Sequence, residues 1–366
     1  MLFLHNDMIE KLLTIKECID VQEEAFMAME DGQAIHRPRI DMYTPSKPKD
    51  GYYRWGTMEG WYNGIFAIRM KSDVITWPRM DNGGWTEDKY CVEPGTYCGL
   101  IMLFSSENGA PLGIINDGIL QHMRVGAGAG LGVKHLSRKN SEIVGMLGSG
   151  GMARTYLEAF CAVRPIKRCN VYSPTKANRE AFADEMSKKL GIEVVPMAGA
   201  REAVMGCDIL SSSTDSMTPT FEASWLEPGM HIVNLSNMEI SEEAFARFDV
   251  VIRQGIGGLK LPDTERIQAE RGMSPIAWIA GNEEEMKRLP EKGSGPGFGG
   301  DWPDFCDLVY GRVKGRTSDD QVTFYHNIGN QGLQFAAVGG LALKKAEAAG
   351  MGRALPREWF TQDVRD

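Results

Sequence analysis

The stretch Ile143-Val144-Gly145-Met146-Leu147-Gly148-Ser149-Gly150-Gly151-Met152-Ala153 limits what this chain can fold into more than any other segment. An apolar run of strand type leads into a GxGxxA turn, and a helical pattern follows. In such a turn the first glycine makes the sharp bend, and the second lets a pyrophosphate reach the backbone. The small third residue lets helix and strand pack closely. The helix N-terminus adds unpaired N–H groups and the positive end of its dipole. Gly148, Ser149, Gly150, Gly151, Met152 and Ala153 are therefore expected to cradle a dinucleotide.

The surroundings of the turn agree with that reading. Helix 125–136 precedes it, and helix 153–162, strand 168–172, helix 177–190, strand 193–196, helix 200–205 and strand 208–212 follow. Strands 231–235 and 249–252 come next. Strands alternating with helices of this length specify a parallel, doubly wound Rossmann-type sheet. The second strand ends Val171-Tyr172-Ser173-Pro174-Thr175-Lys176, without the carboxylate that usually accepts from the ribose 2′-OH of NAD. Ser173, Thr175, Lys176 and Arg179 are placed to meet a 2′-phosphate, so NADP is the expected cofactor and NAD a possible one. The alternative for Lys176 and Arg179 is a solvated helix face. Ser213 and Thr214 follow one strand and Ser236 another, where ligands of such sheets bind, and so are candidate walls of the nicotinamide pocket.

At 366 residues the chain exceeds the usual size of one core, which predicts two domains with a cleft between them. Residues 9–32 have helical apolar spacing. Segments 64–70, 99–105 and 112–117 read as strands, and 81–88 as a loop. After a Gly/Pro/Ser-rich loop at 289–301, a β-like segment at 322–326 and a helix at 333–349 resume the character of the first part. The expected fold is α/β: a Rossmann domain at 125–321, and a discontinuous α+β substrate-binding and dimerisation domain from 1–124 and 322–366. A formal charge of −9 without a dense Lys/Arg track argues against nucleic acid as a partner. No apolar run reaches the roughly 20 residues of a membrane span, and the N-terminus lacks signal-peptide character, so a cytoplasmic setting is expected. Seven scattered cysteines without CxxC spacing predict neither a disulfide framework nor a metal site.

From Asp117 through "LQHMRVGAGAGLGVKHLSRKNSEIVGMLGSGGMARTYLEAF", and again at "LVYGRVKGRTSDDQVTFYHNIG", the chain resembles the ornithine cyclodeaminase/mu-crystallin family, over roughly residues 30–345. The resemblance implies a homodimer whose substrate domain is built from both chain ends. It also implies that a substrate carboxylate is held by the Arg of "HxPR", here Arg39, and the Arg of "lRTaA", here Arg124. Bidentate guanidinium groups suit that task. The family's Lys falls at Arg69 in gapless register, while Lys71 lies two residues later and shares a strand face with it. Lys71 is the candidate acid/base, since a desolvated lysine near two arginines has its pKa pushed down. Where the cyclodeaminases carry the Asp of "GGD", the run here is Leu235-Ser236-Asn237-Met238-Glu239, with no carboxylate in register. The segment Thr76 to Thr96 is longer than in most members, and either remodels the substrate pocket or forms surface or dimer contact.

The leading expectation is an NAD(P)H-dependent imino acid reductase, or in reverse an amino acid dehydrogenase, with a small amino, imino or keto acid as substrate. Arg39, Arg69 and Arg124 would bind that substrate, with Lys71 or Arg69 supplying a proton or positive charge. The alternatives are a cyclodeaminase-type lyase and a catalytically silent NADP-binding protein.

Overall fold

The computed structural model describes residues 1–47, 51–79, 85–258, 266–271, 274–290 and 301–364. The chain opens with β1 (Leu2–Leu4), α1 (Asn6–Leu12), α2 (Ile15–Glu30), β2 (Ala34–Pro45), β3 (Gly51–Tyr62), β4 (Ile65–Thr76), β5 (Asp88–Tyr90), β6 (Cys98–Ser105), β7 (Pro111–Asn116) and α3 (Asp117–Leu136). It continues as β8 (Ile143–Leu147), α4 (Gly151–Val163), β9 (Arg168–Tyr172), α5 (Lys176–Leu190), β10 (Glu193–Pro196), α6 (Ala200–Val204), β11 (Ile209–Ser212), β12 (His231–Asn234), α7 (Glu242–Phe245) and β13 (Val250–Arg253). Last come β14 (Ile267–Arg271), β15 (Ser274–Ile279), α8 (Glu283–Met286), α9 (Phe305–Val309), β16 (Thr323–His326), α10 (Gln331–Ala348) and β17 (Arg353–Ala354).

Two sheets result. The first is parallel, in the order β10-β9-β8-β11-β12-β16-β13, and reverses direction of growth between β8 and β11. That switch point opens a crevice at the carboxyl ends of the strands, where such sheets bind ligands. The second runs β14-β15-β2-β3-β4-β6-β7-β1-β17, with β5 added beside β4. Its inner face packs on α10 and the start of α3. Helix α3 then runs on against α4, where a Cβ on Gly126 would lie 2.6 Å from the Thr155 carbonyl oxygen, so the run of small residues allows close helix packing.

The structure departs from the sequence pattern in several places. The expected helix at 9–32 is two helices, because Leu13 is extended and Thr14 starts α2 with a capping box to Glu17. Helix α3 begins at Asp117 rather than at residue 125, capped by the Asn116 side chain, which accepts from the Gly118 N–H. Strand β16, expected with the substrate domain, instead inserts between β12 and β13 of the parallel sheet. All four of its residues are buried, as a strand covered on both faces requires. Conversely, β14 and β15, from within the span expected to be wholly Rossmann, pair onto β2 of the other sheet. Of the two expected loops, 81–84 and 291–300 lie outside the described residues.

Candidate active site

The nucleotide end is built from backbone and small groups. Gly148 has φ 104°, a conformation that disfavours any side chain, and its N–H donates to the Tyr172 carbonyl at 2.8 Å. A Cβ there would also fall 2.6 Å from the Ser213 carbonyl oxygen. Gly150 precedes α4, and among the described residues no side chain caps the helix and a Cβ on Gly150 would meet nothing within 4 Å. The first N–H groups of α4 and the space beside Gly150 are thus available to a pyrophosphate. Ala153 is fully buried under the strand and Met152 is half-buried. The Ser213 hydroxyl is buried without a partner among the described residues. These residues fit a dinucleotide.

At the end of β9, the Ser149 and Ser173 hydroxyls are 2.8 Å apart. Arg179 donates to the Ser173 carbonyl at 2.8 Å and stacks over the Tyr172 ring, so it is fixed beside the strand end. Lys176 is instead 76% exposed and 3.7 Å from Glu180, the geometry of a solvated helix residue, and Thr175 is exposed. The structure thus brings Ser173 and Arg179 together and leaves Lys176 outside.

Glu239 lies where the sequence offered no assignment. Its fully buried carboxylate accepts from the Ser212 hydroxyl at 2.8 Å, the Thr214 N–H at 2.8 Å and the Thr214 hydroxyl at 2.6 Å. Burial pushes its pKa up to about 7, against the pull of those donors. It therefore braces the ends of β11 and β12 rather than facing a substrate. Ser236 is buried nearby, its hydroxyl accepting from the Met238 N–H at 3.4 Å.

Across the cleft, the inner face of the second sheet is lined with charge. Lys71 on β4 stands between Gly56 on β3 and Gly99 on β6. Side chains at either glycine would overlap the carboxylates of Asp41 and Asp117, so the two gaps are what admit those acids. Arg39 is held bidentately by Asp41, at 3.0 and 2.6 Å. Arg69 donates to Asp117 at 2.5 Å. Lys71 lies 2.8 Å from Asp73, which also takes a bond from buried Arg54 at 2.8 Å. Arg54 reaches Glu87 at 3.4 Å, and Lys89 and the Trp77 N–H hold Glu87 at 3.0 and 3.1 Å. Burial, then the charges of Arg54 and Lys89, hold the Lys71 ammonium well below its usual range. Burial opposes ionisation of Asp73 and Glu87, yet the surrounding cations keep both below the usual carboxylate range.

Arg124 differs from all of these. Its guanidinium is buried, lies 4.9 Å from the Phe335 ring centroid, and donates to the neutral amides of Gln121 at 2.9 Å and Gln334 at 2.8 Å. It has no carboxylate partner among the described residues. Burial, with Arg69 nearby, lowers its pKa to about 9. The structure therefore gathers Arg69, Lys71 and Arg124 on one wall, with Arg39 close by but already neutralised.

The Thr76–Thr96 segment joins the two walls. Among its described residues, Trp77 is buried and Trp85 accepts from the Met217 N–H at 2.9 Å. Thr86 bridges to Ser216, just beyond Thr214. Asp41 and Asp73 went unassigned in the sequence, although each stands two residues after Arg39 or Lys71 on a strand and so shares its face. No local pattern pointed to Asp117, Arg54, Glu87, Gln121, Gln334 or Glu239.

The model of the ornithine cyclodeaminase/mu-crystallin family matches residues 1–251. A putative dehydrogenase of Rhizobium meliloti is 30% identical over 69% of this chain and 72% of its own. A Delta(1)-pyrroline-2-carboxylate reductase of Bacillus cereus is 27% identical over 64% of this chain and 67% of its own. Among solved structures, the Thermococcus litoralis Delta(1)-pyrroline-2-carboxylate reductase in complex with NADH and L-proline superposes with a TM-score of 0.75 at 25% identity. That match covers 97% of this chain and 100% of that one.

Proposed function

This chain belongs to the ornithine cyclodeaminase/mu-crystallin family, and we propose that it is an oxidoreductase that reduces the C=N bond of an imino acid with a reduced nicotinamide dinucleotide, or runs the reverse reaction on an amino acid. The observation that carries this reading is the charge pattern opposite the nucleotide turn. Asp41 neutralises Arg39, and Asp117 neutralises Arg69. Arg54 and Lys89 balance Asp73 and Glu87. Lys71 shares Asp73 with Arg54. The buried Arg124 guanidinium has no carboxylate partner among the described residues and so is the complement of one carboxylate. The similarity to the reductases acting on pyrroline-2-carboxylate supports the same substrate class.

The bound dinucleotide would supply hydride to the imine carbon. Arg124 receives the carboxylate, exchanging two amide contacts for a charge-assisted pair. Lys71 hands a proton to the imine nitrogen, so that hydride and proton together convert C=N to CH–NH. Its depressed pKa brings that transfer toward neutral pH, where a general acid works best. Trp77 and the segment reaching Met217 keep water from the cleft. Glu239, turned into the parallel sheet, leaves no carboxylate from 236–239 for a second substrate amine, which disfavours cyclodeamination.

Two finer features belong to the same reading. NADPH is favoured over NADH, because β9 ends in Ser173 rather than an acid and Arg179 is fixed beside it. The functional unit is a homodimer through the outer face of the second sheet. There Ile35 and Met42 are 64% and 50% exposed, and Phe66 and Leu100 share that face. No helix among the described residues is long and apolar enough to cross a membrane. Mixing the protein with NADH or NADPH and a panel of cyclic and acyclic imino acids tests the reaction. Net loss of reduced-cofactor absorbance, matched by amine formed, is expected. Ammonia release from diamino acids without net cofactor turnover would overturn it. A monodisperse monomer by light scattering at micromolar concentration would overturn the dimer.

A further inference from the structure

His122 takes no part in the chemistry above. It lies on α3, two residues before Arg124, with its ring packed against Gly151, the first residue of α4. A Cβ on Gly151 would come within 2.5 Å of the imidazole Cε1, 2.9 Å of Nε2 and 3.0 Å of Nδ1. Gly151 does not adopt a positive φ, so what requires glycine there is room for the imidazole. The His122 side chain is half-buried, and neither ring nitrogen has a hydrogen-bond partner among the described residues.

The charged groups facing it are Asp117 and Arg124 on its own helix and Arg154 on α4. Asp117 is engaged by Arg69, Arg124 by Gln121 and Gln334, and Arg154 by Glu185 at 2.7 Å. Burial, opposed by Asp117 and aided by Arg154 and Arg124, lowers the His122 pKa and so favours the neutral imidazole in the free protein. A neutral imidazole has one N–H donor and one acceptor nitrogen. Here it stands beside the helix N-terminus at which dinucleotide phosphates dock.

We propose that His122 is a cofactor ligand, donating a hydrogen bond from its imidazole to the pyrophosphate of the dinucleotide and taking up a proton as the cofactor binds. This rests on the dinucleotide reading above. A nearby phosphate anion favours the imidazolium, so the pKa of His122 is higher in the complex than in the free protein. By linkage, affinity is greatest at low pH and declines as pH rises between those two values.

The test uses the intact protein with NADH as probe, by fluorescence titration and by calorimetry in two buffers of different ionisation enthalpy. His122→Gln is expected to weaken NADH by about tenfold, the size of one charge-assisted hydrogen bond, and to abolish proton uptake. Gly151→Ala should weaken NADH in the parent but not in a His122→Ala background, because the added methyl group takes the place of the ring. Affinity and proton uptake unchanged in His122→Gln would overturn the proposal. So would an equal Gly151→Ala penalty with and without His122. A parent protein that binds neither NADH nor NADPH would remove the dinucleotide reading itself, which separates the two failures.

Discussion

The two walls of the cleft present opposite kinds of group. The parallel-sheet wall offers glycines, helix N–H groups and hydroxyls around Gly148, Gly150 and Ser213. The facing wall offers buried charge, with Arg39, Arg54, Arg69, Lys71 and Lys89 set against Asp41, Asp73, Glu87 and Asp117. A site made of backbone can lie within a dozen consecutive residues. A site made of charge cannot, because each buried ion needs a partner and the partners come from different strands. Each wall also holds one exception. Arg124 is a cation with no anionic partner among the described residues, and Glu239 is a carboxyl buried where its neighbours are neutral.

The largest test of the contrast removes chemistry from the charged wall while sparing the other. Lys71→Met should lower kcat by about 10²- to 10⁴-fold, the usual contribution of a general acid, and leave the Kd for NADH unchanged. A kcat within about threefold of the parent would take the proton-transfer role from Lys71.

Next in size is Arg124→Gln, which strips the buried cation that has no carboxylate partner among the described residues. Loss of a buried carboxylate–guanidinium pair costs about 3 kcal/mol, so kcat/KM for the imino acid should fall by about a hundredfold, mostly in KM. If KM stays put, the carboxylate is held elsewhere, and Arg39 or Arg69 must exchange its aspartate for the substrate.

Glu239 tests the other wall through stability. Its folded-state pKa, about 7, lies above the ordinary carboxyl value of 4.5. Its contribution is therefore fully present below pH 4.5, is lost as pH rises toward 7, and stays constant above that. Between pH 4 and 8 the parent should lose about 3 kcal/mol from this group that Glu239→Gln does not lose. Denaturant midpoints across that range decide the matter. Parallel pH curves for parent and variant would mean that Glu239 ionises freely in the folded protein.

The smallest effect expected is at the end of β9. Arg179→Ala should raise KM for NADPH by about tenfold, near 1.4 kcal/mol, and leave NADH unaffected, while Lys176→Ala changes neither. Equal kinetics with both cofactors in parent and Arg179→Ala would show that nothing at this strand end reads the 2′-phosphate.

Much of the parallel-sheet wall was legible because its rules are local. Strand, glycine turn and helix follow one another in sequence, and Ser213, Thr214 and Ser236 could be placed merely by following a strand to its carboxyl end. The pairing of Arg69 and Lys71 on one face followed from the two-residue period of β4. Arg124 was visible through resemblance, but its lack of an acidic partner was not. That depends on Gln334, 210 residues away on α10. The crossings of β14 and β15 to one sheet and of β16 to the other escaped the pattern for a related reason. Short apolar strands do not state which sheet they will complete, and burial against distant neighbours settles it.

By itself, then, the sequence determined the nucleotide fold and the place of its turn, since strand period, helix period and the requirement for glycine at Gly148 act over neighbouring residues. Tertiary structure alone decided which charges are spent and which are free. Whether Arg39 is paired, the Lys71 pKa lowered or Glu239 turned inward depends on desolvation and on partners brought together across the chain. Those energies exist only once the core has closed.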